Sequence, residues 1–176
     1  MIEINSASNP TIKSIRKLEQ KKYRKKTQTY LIEGFHLVEE ALKNHENYLY
    51  ILGTQAALNK LTPNYQLKDN KVIQITDAIA EHLSSTKNSQ DIFMVLPINQ
   101  PKSFSFEYGK WVVLDNLTDP GNVGTIIRTA DAAGFDGVVL SEESVDLYNP
   151  KVQRSMQGSQ FHIQIIQNLV LESISS

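Results

Sequence analysis

The chain contains no cysteine among its 176 residues, which excludes disulfides, thiolate nucleophiles and cysteine-ligated metal sites together. No apolar run approaches the roughly 18 residues of a membrane-spanning helix. The opening MIEINSASNP also lacks the basic-then-apolar pattern of a secretory signal. The expected compartment is the cytoplasm, where the sequon Asn116-Leu117-Thr118 carries no meaning. Internal repeats and low-complexity tracts are missing as well. His36, His45, His82 and His162 show no metal-ligand spacing, so no metal is expected. Net charge is close to zero, at −1, which taken alone speaks against a polyanionic partner.

What is present is distributed unevenly. Hydrophobic residues make up 40% of the chain and charged ones 21%, enough to bury a core in one domain or two small ones. Residues 1 to 30 hold eight basic and two acidic side chains, a local charge of +6 that leaves −7 for the remainder. Such a run is either a solvated helix face or an arm whose lysines and arginines contact phosphates and release counterions. On the second reading Lys13, Arg16, Lys21, Lys22, Arg24 and Lys25 are candidate RNA contacts. Tyr23 and Tyr30 lie beside them for stacking, although the core is the expected place of Tyr30.

The apolar pattern predicts a helix from Asn9-Pro10-Thr11, seated by Ile12, Ile15 and Leu18. A strand follows at Tyr30 to Gly34, then a helix from Phe35 to Leu42 with Phe35, Val38 and Leu42 inward. Strands are expected at Tyr48 to Leu52, Lys71 to Ile75 and Ile92 to Leu96, and a helix at Thr76 to Leu83 capped by Thr76 or Asp77. This alternation describes a small α/β domain over residues 1–97. Residues 98–108 change to a proline-bearing stretch without period, the expected linker. From 109 the pattern restarts. Trp111 to Leu114 and Val138 to Leu140 read as parallel strands buried on both faces. Between them Val123, Ile126, Ile127, Ala130 and Ala133 form a helical stripe closed by Gly134, a right-handed βαβ unit.

The stretch LDNLTDPGNVGTIIRTADAAGF, residues 114–135, joins that first strand to its helix. Gly121-Asn122-Val123-Gly124 lacks the third glycine of a dinucleotide fingerprint, and Thr125-Ile126 replaces the Lys-Ser or Lys-Thr of a P-loop. Both phosphate motifs fail. Asp119-Pro120 forces a turn, Asn122 stands at the helix mouth, and Arg128 lies almost two turns in, off the apolar stripe. Singly, Asn122 reads as an N-cap and Arg128 as a surface partner of Asp131.

Together, Asp119-Pro120-Gly121-Asn122-Val123-Gly124, three residues, then Arg128-Thr129-Ala130-Asp131-Ala132-Ala133-Gly134 resembles the first motif of the SpoU/TrmH family of RNA ribose 2'-O-methyltransferases. Tyr148 to Phe161, with Lys151-Val152, Arg154, Ser155 and Gly158-Ser159, is similar to the family's second motif. Met156 departs from it, standing where a serine or threonine is usual. NPTIKSIRKLEQKKYRKKTQTYLIEGFHLVEEAL resembles the substrate-binding domain fused ahead of many members and related to ribosomal RNA-binding proteins. The resemblance implies a ribosomal-protein-like α/β RNA-binding domain followed, over residues 109–176, by part of a SPOUT domain, an α/β trefoil knot with a parallel sheet.

It further implies methyl transfer from S-adenosylmethionine to a ribose 2'-hydroxyl, with ribosomal RNA expected over transfer RNA. Arg128 is then the catalytic candidate. A guanidinium is a poor base, so its role is either base assisted by a phosphate or cation stabilising the developing alkoxide. Asn122 would orient the ribose or Arg128, and Arg154 would contact a phosphate. Members dimerise through this domain. They also continue into a third, glycine- and glutamate-bearing motif that closes the knot, so the expectation is a shortened chain with most cofactor contacts beyond Ser176 and weak cofactor binding by itself. Two other readings stand beside it: a non-catalytic RNA-binding protein with a degenerate second domain, and an unrelated α/β nucleotide-binding enzyme.

Overall fold

The computed structural model describes residues 1–99, 106 and 108–170. The chain divides into two compact units, Met1–Ile98 and Asn99–Ser176. Most of the expected linker, residues 100–105 and 107, lies outside the described residues.

The first unit is built on five strands: β1 (Ile2–Ile4), β2 (Thr29–Glu33), β3 (Tyr50–Gly53), β4 (Val72–Ile75) and β5 (Ile92–Pro97). Their order in the sheet is β1-β4-β3-β5-β2. The β1–β4 and β3–β4 pairs are parallel, whereas β5 runs antiparallel to both β3 and β2. Alternation along the strands sends successive side chains to opposite faces. Phe93 and Val95 accordingly share a buried cluster with Leu52, Ile73 and Ile75, covered by α1 (Pro10–Arg16) and α5 (Asp77–Leu83). Ile92, Met94 and Leu96 are buried on the other side, where α3 (Phe35–Lys43) and α4 (Gln55–Leu61) pack on β5 and β3.

Several of these helices have only seven residues, too few to persist in water by themselves. Packing holds them. Ile12 and Ile15 seat α1, each buried side chain contributing roughly 1.5–3 kcal/mol. The caps are local: Asn9 accepts from Thr11 N, Thr54 from Ala57 N and Thr76 from Ile79 N. On α3 the inward residues are Leu37, Val38 and Ala41, while the expected Phe35 and Leu42 are only half-buried.

The basic run is not one helix. After α1 the chain makes a 3-10 turn at Lys17–Glu19 and restarts as α2 (Lys21–Thr27). Helix α2 reads KKYRKKT and buries only one residue, Arg24. Its Nη1 donates to the carbonyls of Leu18 at 2.8 Å and Glu19 at 2.7 Å. Arg24 is therefore the anchor that ties α2 to the preceding turn. The expectation that it contacts RNA is corrected: a guanidinium 4% exposed and spent on two carbonyls is structural.

The second unit holds a three-stranded parallel sheet, β6 (Trp111–Leu114), β7 (Gly137–Ser141) and β8 (Gln164–Leu169), in the order β6-β7-β8. Both connections step the same way along the sheet. Right-handed crossovers then bring α6 (Pro120–Ala132) and α7 (Pro150–Met156) to one face, where they pack on each other. Strand β7 is buried throughout, as its apolar run predicts. Strand β6 departs from expectation. Among the described residues it is an edge strand, and Val113 is 45% exposed.

Candidate functional site

Helix α6 begins as its sequence dictates. Asp119 is the N-cap, its Oδ1 accepting from Asn122 N at 2.7 Å, and Pro120 occupies the first helical position, where no N–H is needed. The cap is thus Asp119. Asn122 is exposed, and its side-chain amide makes no hydrogen bond among the described residues. At the other end Ala133 closes the helix, and Gly134 takes φ +69°. Its N–H donates to Asp131 O and that of Phe135 to Ala130 O, a Schellman cap. Ala133 is exposed at that cap instead of continuing the buried stripe of Val123, Ile127 and Ala130.

Arg128 projects from the exposed side of α6. The surface reading pairs it with Asp131, but that carboxylate instead meets Nδ1 of His162 at 3.1 Å. Among the described residues Arg128 has no polar partner. Helical side chains lean toward the N-terminus of their helix, and Gly121, seven residues earlier, shares this face without adding a side chain. The guanidinium therefore has open helix surface in front of it.

Helix α7 is locked against the mouth of α6. An added Cβ at Gly124 would lie 1.8 Å from Ser155 Oγ and 2.4 Å from its Cβ, so only glycine allows this approach. Ser155 Oγ lies 2.9 Å from both Pro120 O and Val152 O, positioned to donate to either. Arg154, half-buried, precedes this contact. Met156, the departure from the second motif, is fully buried and carries no hydroxyl role; its neighbour Ser155 makes the hydroxyl bond to α6. Neither Ser155 nor Asp119 stood out as a site residue in the sequence. The Asp-Pro pair signals a cap and first turn, whereas nothing local marks Ser155 as lying under Gly124.

In parallel sheets ligands bind beyond the carboxyl ends of the strands. At the ends of β6 and β7, Ser141 Oγ accepts from Asn116 N at 2.9 Å. Ser144 Oγ accepts from Leu117 N and donates to Leu114 O, both at 3.2 Å. These polar groups are spent on one another. The described residues therefore assign no donor set to a nucleoside cofactor.

Tyr148, just ahead of α7, is buried. Desolvation, then the carboxylate of Asp146, pushes its hydroxyl up to about 12. Because the phenol ionises more readily in the unfolded chain, stability that is complete below about pH 10 is lost as pH rises toward 12. Denaturant melts between pH 9 and 12 should show a shallower alkaline decline in Tyr148→Phe than in the wild type.

The RNA candidates of the first unit fall on the α1–α2 segment. Lys13, Lys21, Lys22 and Lys25 are exposed, and Arg16 is paired with Glu19 at 2.6 Å. Lys17 and Lys22 place their ammonium groups 5.3 and 4.9 Å from the ring centroid of Tyr23, two cation–π contacts. Tyr30 is in the core.

A five-stranded α/β unit bearing a lysine-rich helix is thus followed by a parallel-sheet unit whose first helix presents an arginine with no polar partner among the described residues. Residues 9–94 match the MRM3-like substrate binding domain and residues 110–174 the SpoU rRNA Methylase family. The chain is 40% identical over 171 residues to the 23S rRNA (guanosine(2553)-2'-O)-methyltransferase RlmP of Bacillus subtilis (strain 168), covering 94% of this chain and 65% of that protein. It is 30% identical over 166 residues to the human mitochondrial rRNA methyltransferase 3, covering 89% and 39%. The AdoMet-bound rRNA methyltransferase of Sinorhizobium meliloti superposes with a TM-score of 0.83 at 30% identity, over 98% of this chain and 67% of that one. The chain belongs to the SpoU rRNA methylase family. It spans about two thirds or less of the length of these relatives.

Proposed function

We propose that the whole protein transfers a methyl group from S-adenosylmethionine to a ribose 2'-hydroxyl of RNA. The observation that carries this reading is the guanidinium of Arg128 on the exposed face of α6, without a polar partner among the described residues and with Asp131 committed to His162. A cation held there without a carboxylate partner keeps its donors for the substrate, either the oxygen on which charge develops or the adjoining phosphate. Asn122 orients the ribose, and Arg154, on the helix clamped against α6, holds a phosphate. Residues 1–97 bind the RNA, ribosomal in preference to transfer RNA, as the substrate-binding match of residues 9–94 and the relatives' names support. The protein acts in the cytoplasm as a homodimer formed through the second unit.

The test is methyl transfer from labelled S-adenosylmethionine to ribosomal and transfer RNA, with nucleoside analysis for a 2'-O-methyl group. Calorimetric titration of the cofactor into the protein accompanies it. Transfer with micromolar cofactor binding supports the reading; RNA binding without cofactor binding or transfer overturns it.

The arm gives a second test. Lys21→Gln, Lys22→Gln and Lys25→Gln should each weaken single-stranded RNA binding and lower the slope of log K against log salt by about 0.7. Thermal stability should be unchanged. Arg24→Met should do the reverse: exposing two carbonyls costs roughly 1.5–3 kcal/mol and loosens α2, read as lost amide protection in that helix.

A further inference from the structure

The first unit carries a concavity that involves neither the RNA-contact candidates of α1 and α2 nor Arg128. It measures about 470 Å³ and is lined by Asn47, Tyr48, Tyr50, Asn70, Lys71 and Pro97. It lies at the end of the sheet where β3 begins and β5 finishes, Tyr50 pairing with Val95. The same edge receives the arm. Thr29 pairs with Pro97, and Ile98 N donates to the carbonyl of Gln28 at 2.8 Å. Gln28 ends α2 and in turn binds the carbonyl of Lys25 through its side chain at 2.8 Å. Lys25 is thus tied through Gln28 to the strand end that Pro97 occupies.

The lining has the composition of a base-binding surface. Lys71 Nζ donates to Tyr48 O at 2.5 Å and lies 5.0 Å from the Tyr48 ring centroid. The Tyr48 hydroxyl accepts from Lys68 N at 3.5 Å. The ring is therefore held with an ammonium over one face. The side-chain amides of Asn47 and Asn70 make no hydrogen bond among the described residues, and each offers a donor and an acceptor to a base edge. Asp69, in the same turn as Asn70, is not among the lining residues.

We infer that this concavity is a subsite for one unpaired nucleobase of the RNA, stacked on Tyr48 and read at its edge by Asn47 and Asn70, while a flanking phosphate lies on Lys25. The inference rests on the RNA-substrate reading. Proteins read single-stranded RNA by splaying out bases onto aromatic rings, and lysines supply the phosphate contacts such a strand needs.

The experiment uses a labelled single-stranded heptanucleotide and a hairpin duplex with no unpaired overhang, titrated into the chain by fluorescence anisotropy. A 4-thiouridine-substituted heptanucleotide is cross-linked in parallel and the adducts mapped by mass spectrometry. Tyr48→Ala should lower heptanucleotide affinity roughly 5- to 30-fold without changing the salt slope, as expected for loss of one stacked base. Tyr48→Phe should retain affinity, and hairpin binding should be unaffected. Asn70→Asp, an exposed change that leaves the fold intact, should also weaken the heptanucleotide and guards against a misfolded Tyr48→Ala. Adducts at residues 47–50 or 70–71 support the subsite. Wild-type RNA binding with unchanged affinity in Tyr48→Ala and Asn70→Asp, and adducts on the arm alone, overturns the subsite and leaves the RNA reading standing. No binding of either RNA by the wild type overturns both.

Discussion

Under the proposed methyl-transfer function, replacing Arg128 by lysine should reduce turnover by about 100-fold or more, the scale on which removing one preorganised donor acts. Charge is kept in this variant, so long-range attraction of the RNA is kept too. What is lost is the planar fork, which can donate two parallel hydrogen bonds to a phosphate or to a ribose oxygen and its neighbour. RNA affinity should therefore change little while turnover collapses. Arg128→Ala should lose as much turnover and a further few-fold in affinity. Wild-type turnover in Arg128→Lys would remove the arginine-specific role, and an equal fall in affinity and turnover would make Arg128 a binding residue only. No stability loss is expected from either variant, because the side chain is exposed and has no polar partner among the described residues.

Gly124→Ala is expected to destabilise the second unit. Alanine at an exposed helix glycine is ordinarily favourable by about 1 kcal/mol, since it restricts the unfolded chain. Here the added methyl would meet Ser155 at its Oγ, Cβ and backbone carbonyl carbon, so the neighbour cannot swing aside. Overpacking of this kind costs roughly 1–3 kcal/mol, which in a unit of this size lowers the melting temperature by about 4–20 °C. Trp111, the only tryptophan, sits in β6 and makes fluorescence a selective readout of the second unit. Ser155→Gly removes the Oγ and Cβ that the methyl would strike, leaving only a 2.7 Å approach to the carbonyl carbon. The double variant should thus recover part of the loss, and the coupling between the two sites identifies the helix approach as its cause. A melting temperature for Gly124→Ala at or above wild type would show that α7 is free to move away.

How far the sequence could be read depended on whether a feature was local. Thr76, Pro10 and Gly134 announce helix ends through their own backbone chemistry, and the structure uses all three for it. Strands β2, β4 and β5 follow from short β-branched and aromatic runs within a residue or two of their ends. Strand β1 was not legible, because IEI is three residues long and gains its meaning only by pairing with β4. Helix α4 was missed for a related reason: QAALNKL is too short to show a period.

The site divides the same way. The resemblance of residues 119–134 to a family motif singled out Arg128 and Asn122, but which carboxylate faced Arg128 was a tertiary question. His162, thirty-one residues beyond Asp131, answers it. In the basic run, composition counts charges without direction. Arg24 is chemically the best phosphate ligand of α2 and is the one buried residue there, in a helix that has no aliphatic side chain with which to hold itself down.

Tyr23 changes what the remaining lysines mean for encounter. Lys17 and Lys22 already rest on its ring, so much of their rotameric freedom is surrendered when the protein folds. An incoming polyanion meets a charged surface that is largely assembled. The ordering cost that loose lysines would charge against each binding event has been moved into folding, where the unit's core covers it once.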